Sequence, residues 1–315
     1  MTATRPAPLL PEGAVRLNDW GVIRCIGPDT LKFLHGQLTQ DFEHLKPGGA
    51  RLAGFCSPKG RLLATFVAWR REPDEVLLAC SADVLPAVLK RLSMFVLRSK
   101  CKLSDASVEL PVWGLAGAAT AASLGAAGAL AVWERGVAGG ADVVRLPDGR
   151  AQGQAVARWL WAGPEAPVLP ALPHLEWLGL EASSGVARVN AATTEQFVPQ
   201  MVNLELVNGV SFDKGCYPGQ EIVARSQYRG TLKRRAQVLN SEVLLQPGME
   251  VFHDADPGQP AGRVVLAGAL PGSGPVALVE LKLAALQGGA LHAGTPDGPR
   301  LSLGTLPYSL PVDAA

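Results

Sequence analysis

The stretch that most restricts the fold begins near residue 231. From there short β-branched runs around Val238, Val251, Val264-Val265 and Val276 to Leu281 alternate with Gly/Pro turns such as Pro257-Gly258 and Pro296-Asp297-Gly298. No run is long enough for a helix of ordinary length, and regularly spaced short strands close most readily into a small β-barrel or a sandwich. A boundary at 231 therefore separates a strand-only unit, 231–315, from what precedes it.

The first third is mixed. The apolar run 21–26 reads as a strand, and Asp29 then offers a cap for a helix that carries Leu31, Leu34 and Leu38 on one face. Segments 62–69 and 75–80 read as two strands, followed by Asp83 as a cap and a helix with Leu85, Leu89 and Leu92. Between 112 and 133 the chain has no charge, yet Gly114, Gly117, Gly125 and Gly128 interrupt it, so a strand, a turn and a buried Ala-rich helix are expected rather than a membrane span. Leu172, Leu175 and Leu178, with Trp177 beside them, mark a further helix.

Composition closes off several classes. In 315 residues the 29 basic and 28 acidic side chains leave a net charge of +1, so the chain offers no global attraction to a polyanion or an anionic membrane, and direct nucleic-acid binding is not expected. Aromatics at 6% leave few stacking platforms for Lys233, Arg234 and Arg235 to use in binding RNA. The five cysteines Cys25, Cys56, Cys80, Cys101 and Cys216 show no paired spacing that holds a metal, and read as reduced thiols of a cytosol-like compartment. No metal site is expected. His35, His44, His174, His253 and His292 are scattered singly and read as surface or core residues. No phosphate loop, dinucleotide fingerprint or nucleophile elbow is present.

The densest run of unusual residue choices is Phe212 to Arg225, with Lys214, Cys216, Pro218 and two glycines in a tight turn. Pro218 in the first turn of a helix running through Arg225 would set Cys216 just before a helix N-terminus and beside Lys214, where a thiolate is favoured. The alternative is a small buried thiol in a glycine-rich turn.

That run, KGCYPGQEIVAR, resembles the signature of the YgfZ-type folate-binding proteins, relatives of the glycine cleavage T-protein. LNDWGVI, FLHGQLTQD, FCSPKGRLLATF, EQFVPQMVNLELVNGVSF, ARSQYRGTLKRR and LPYSL resemble further family blocks in the family's order. The resemblance implies an α+β fold: a T-protein-like ring of two ferredoxin-like α+β lobes plus a C-terminal antiparallel β-barrel. Its expected division is 1–107 with 170–230 as a folate-binding lobe, 108–169 as a second layer, and 231–315 as the barrel. It also implies that Trp20 and Trp177 contact a tetrahydrofolate, onto whose flat rings an indole can stack. Arg225 is the best candidate for the folate tail among Arg225, Arg229, Lys233, Arg234 and Arg235.

Where the T-protein carries a carboxylate pair, this chain has Gly60-Arg61-Leu62-Leu63-Ala64-Thr65. Without a carboxylate there to support an iminium-like species, aminomethyl transfer is disfavoured. The implied role is that of a cytoplasmic tetrahydrofolate-binding accessory protein that supports assembly or repair of iron–sulfur client enzymes and affects tRNA thiomodification indirectly. Cys216 would be its reactive or redox-sensitive group, with Lys214 tuning the charge around it. The alternative is a folate-dependent one-carbon transferase that uses Cys216.

Overall fold

The computed structural model describes residues 10–228 and 232–311, so Arg229 lies outside the described residues. The first sheet is built from β2 (Trp20–Ile26), β3 (Ala50–Cys56), β4 (Leu62–Glu72), β5 (Glu75–Ser81) and β6 (Lys102–Asp105), the short strand β1 (Gly13–Arg16) preceding them in the chain. Its strand order is β3-β4-β5-β2-β6, antiparallel throughout. Every residue of β5 is buried. Both faces of the sheet are covered, which is why its central strands read as continuous apolar runs instead of alternating. Helices α1 (Thr30–Gln37) and α2 (Leu85–Ser93) cover one face through Phe33, Leu34, Val88 and Leu92, packed on Ile23, Phe55 and Leu78. The other face, with Leu52, Trp69, Leu77 and Ala79, joins the largest core of the molecule.

Both proposed helix caps are corrected. Asp29 stands at the N-cap of α1, but its carboxylate accepts the Lys100 amide at 2.6 Å and makes no cap bond. Asp83 precedes α2 by two positions and accepts the Ala191 amide at 3.0 Å. Each aspartate satisfies a distant loop, which local sequence cannot reveal.

The second sheet comprises β7 (Val112–Ala116), β8 (Arg135–Ala138), β9 (Ala141–Ala151) and β10 (Gln154–Ala162), with β1 at one edge, in the order β1-β7-β10-β9-β8. Although it lies within the expected 1–107 segment, β1 joins the second sheet, with Gly13 to Arg16 pairing with Ala116 to Trp113. The exchange is stabilised locally: Glu12, just before β1, accepts the amides of Ala119 and Thr120 at 3.1 and 2.6 Å. A carboxylate thus neutralises the free N–H groups that open the short helix α3 (Ala118–Ser123). The charge-free run folds as a strand, this short helix and a 3-10 turn over Gly125–Ala129, and the expected buried Ala-rich helix is corrected: only Thr120 of α3 is buried, most of its alanines facing outward beside the glycines that end it. No helix among the described residues is long and apolar enough to cross a membrane.

The C-terminal unit is a closed barrel of β11 (Arg234–Ser241), β12 (Glu250–His253), β13 (Gly262–Leu270), β14 (Gly274–Lys282), β15 (Leu291–Ala293) and β16 (Arg300–Leu303), all antiparallel, in the order β11-β14-β13-β12-β15-β16. Closure between β11 and β16 removes the sheet edges. The strand-only reading from residue 231 matches this unit.

Helix α4 (His174–Ser183), followed after a long segment of turns with a 3-10 helix at Pro199–Val202 by α5 (Gln220–Tyr228), is the element on which the layers meet, with six buried residues from Trp177 to Ser183. It presses on β13 so closely that a methyl group at Gly268 would lie 2.1 Å from the Gly179 nitrogen. Only glycine permits that approach.

Candidate functional site

The start of β2, the end of α4 and the segment 184–190 bring buried charges together. The Arg188 guanidinium reaches Glu181 with two bonds of 3.1 and 3.0 Å, Asp19 Oδ2 at 2.7 Å and Ser81 Oγ at 2.9 Å. It lies over the Trp20 indole, 4.9 Å from the ring centroid. Burial works against its charge, but Glu181 and Asp19 outweigh that cost and hold its pKa above the ordinary value. Burial likewise raises Asp19, which the positive charges of Arg188 and His174 nonetheless keep below the usual carboxylate range. Arg158 is buried too, and it donates only to the Pro147 carbonyl, at 3.1 and 2.9 Å, while covering the Trp177 ring at 5.3 Å. Desolvation pushes its pKa down to about 10.

Two cavities meet at Arg188. The inner one, of ≈ 30 Å³, is lined by Trp20, Thr65, Arg158, Glu181 and Arg188. It has room for about two waters. The outer one, of ≈ 360 Å³, opens between the first sheet, α4 and the barrel, with Asn18, Asp19, Leu178, Arg188, Gln246 and Leu266 on its walls. That volume lies within the roughly 300–1,000 Å³ typical of small-molecule sites. Leu175, expected in the core stripe of α4, is 40% exposed and, like Leu178, lines this cavity.

Trp20 and Trp177 therefore occupy two sides of one charged cluster, but they differ in access. Trp20 forms part of the inner wall, and its buried Nε1 has no hydrogen-bond partner. Trp177 is fully buried behind Arg158 and wedged on Gly114, where a methyl group would sit 2.5 Å from the indole. Its Nε1 is also unpartnered, as are those of Trp69 and Trp159, so this condition alone does not single out a site.

The signature turn lies elsewhere. Cys216 is exposed, not buried, and α5 begins at Gln220 after a turn through Pro218 and Gly219, so the thiol stands away from the helix N-terminus. Neither Cys216 nor Arg225 lines either cavity, and Arg225 is exposed on the last turn of α5. Lys214 is buried: its ammonium donates to the carbonyls of His35 and, at 2.9 Å, of Leu38, closing the C-terminus of α1, and it rests 4.6 Å from the Tyr217 ring centroid. Burial pulls its pKa down to about 8 against the attraction of Asp41, Cys216 and Glu43.

Two residues missed by sequence spacing join this turn. His35 Nε2 accepts the Gly215 amide at 3.3 Å, which leaves Nδ1 to donate to Asp41 at 3.1 Å. Both belong to the FLHGQLTQD block, the one signal that could have found them. The basic continuation is not a free patch. Arg234 forms two 2.8 Å bonds with Glu280, and Arg235 is buried against Glu205, the Gln200 carbonyl and Asn203. Arg234 thus pairs within the barrel and Arg235 ties it to the preceding segment, so an RNA-binding role for them finds no support. No cluster of potential metal ligands occurs among the described residues.

No family model matches the chain. The tRNA-modifying protein YgfZ of Edwardsiella ictaluri is 34% identical over 246 residues, covering 71% of this chain and 70% of that protein. The protein of the same name from Serratia proteamaculans is 32% identical over 236 residues, with coverage of 71% and 70%. The glycine cleavage system aminomethyltransferase T of Bartonella henselae superposes with a TM-score of 0.72 at 18% identity, over 95% of this chain and 86% of that one. The T-protein fold is thereby shown, and the chain belongs to the YgfZ family of tRNA-modifying proteins.

Proposed function

We propose that the chain binds a tetrahydrofolate-type ligand in the outer cavity, against Arg188, whose guanidinium rests on the Trp20 ring, and acts as a cytoplasmic accessory protein that supports iron–sulfur enzymes and thereby tRNA thiomodification. The observation that carries the ligand assignment is the 360 Å³ space at the meeting of the first sheet, α4 and the barrel, apolar in its leucines and polar at Asn18, Asp19, Arg188 and Asn190. A flat ring with a polar edge suits those walls. Bound folate supplies a one-carbon carrier; the chain's own residues hold and orient it. Trp177 acts indirectly, fixing Arg158 from behind.

The relatives' name, tRNA-modifying protein, and the T-protein fold support this reading. Cys216 serves in it as an exposed redox-sensitive thiol separate from the ligand cavity, with Lys214 fixing the turn's backbone. A one-carbon transfer onto Cys216 gains nothing from its placement outside the cavity walls. Titration with tetrahydrofolate, followed by tryptophan fluorescence, tests the site: Trp20→Ala is expected to weaken binding at least about tenfold, because it removes the ring that holds the Arg188 guanidinium at the cavity wall. Wild-type affinity in a Trp20→Ala/Trp177→Ala protein would refute the placement.

A further inference from the structure

Beyond α2 the surface changes character. Met94, Phe95 and Leu97, which follow the helix with only half-buried Val96 between them, are 57%, 44% and 90% exposed. Beside them runs a groove of ≈ 370 Å³ whose floor is Leu63, Val84, Ala87, Val88 and Met94 and whose rim carries Lys90 and Arg91. The apolar residues here are contiguous, whereas surface hydrophobics that need no explanation are scattered singly. Lys90 and Arg91 on the rim, and Arg98, Lys100 and Lys102 in the segment that follows, have no carboxylate partner among the described residues, although the chain as a whole carries a net charge of only +1. Asp83 also lines the groove, its carboxylate accepting the Ala191 amide; Asp29 accepts the Lys100 amide, and Asp105 the Ser107 amide and hydroxyl.

An aliphatic groove with an unpaired cationic rim has a definite complement. Bases stack on aromatic rings, and Phe95 is the single aromatic side chain of this surface, so single-stranded RNA is a poor match. A bilayer receives protruding apolar side chains but does not fill a concave groove. An amphipathic peptide helix does, placing its apolar face in the groove while its opposite charges meet the rim. We propose that this face docks an acidic amphipathic segment of a partner protein, with apolar anchors between Val84 and Met94 and carboxylates against Lys90, Arg91 and the cations of 98–102.

The full chain is titrated into a fluorescein-labelled heptad peptide of leucine and glutamate, with fluorescence anisotropy as the readout. Saturable binding that weakens with added salt is expected, together with a loss of at least about tenfold for Lys90→Glu/Arg91→Glu and for Met94→Ser/Leu97→Ser. These side chains lie at the surface, so both variants should retain the wild-type unfolding midpoint. A leucine and lysine heptad peptide should not bind. Absence of saturable binding to the acidic peptide, equal binding by either double variant, or tighter binding to poly(U) or to phosphatidylglycerol vesicles would each overturn the proposal.

Discussion

Replacing Arg188 by methionine keeps much of the side chain's apolar bulk and removes its charge. The structure then leaves Glu181, 5% exposed, without the two guanidinium bonds that compensate its burial, and deprives Asp19 and Ser81 of a shared donor. Breaking a buried pair from one side costs about 3–5 kcal/mol, because the surviving charge stays desolvated. Loss of the guanidinium over Trp20 adds up to about 2 kcal/mol. At roughly 2–4 °C per kcal/mol for a large domain, a loss of about 4 kcal/mol lowers the unfolding midpoint by about 8–16 °C. Urea and thermal unfolding followed by circular dichroism measure this. Because the penalty comes from the orphaned carboxylate, Arg188→Met/Glu181→Leu should regain most of it. A single variant that costs under about 1 kcal/mol, or a double variant no better than the single, would refute the reasoning that the cluster is held by mutual compensation.

Three other outcomes follow from the same geometry. Native protein at pH 8 should titrate one fast thiol with a disulfide reagent and five after unfolding, since burial raises Cys56 and Cys80 to about 12, a thiolate fraction on the order of 10⁻⁴; Cys216→Ser should abolish the fast phase. Lys214→Met should cost about 2 kcal/mol in urea unfolding by leaving the His35 and Leu38 carbonyls without their donor. The His292 pKa is raised by its bond to the Gly298 carbonyl and by Asp254, so its stabilisation is complete below its ordinary value of about 6.5 and disappears as pH rises through the folded value. The variant His292→Gln should flatten the stability curve across that interval.

The barrel and α4 were legible because their signals are local: turn-separated short strands in one case, a helical leucine spacing in the other. Of the uncharged run 112–133 the strand and turn were legible, but not that its short alanine helix lies largely exposed. What spacing could not reveal depends on contacts between distant segments. Asp29 and Asp83 bond to loops far along the chain rather than to their own helices. Arg234 and Arg235 looked like free cations and are ion-paired partners of Glu280 and Glu205. The buried cluster draws Asp19, Arg158, Glu181 and Arg188 from four separate places, and no window of sequence holds them together. Resemblance named both tryptophans, but not that one lines a cavity while the other lies sealed behind an arginine.

The location of the ligand is tested most directly by hydrogen–deuterium exchange with and without tetrahydrofolate. The account predicts slower exchange in 18–22, 184–190 and 244–247, which border the outer cavity, with 213–219 unchanged. Protection confined to 213–219 would place the ligand on the cysteine turn and contradict the assignment.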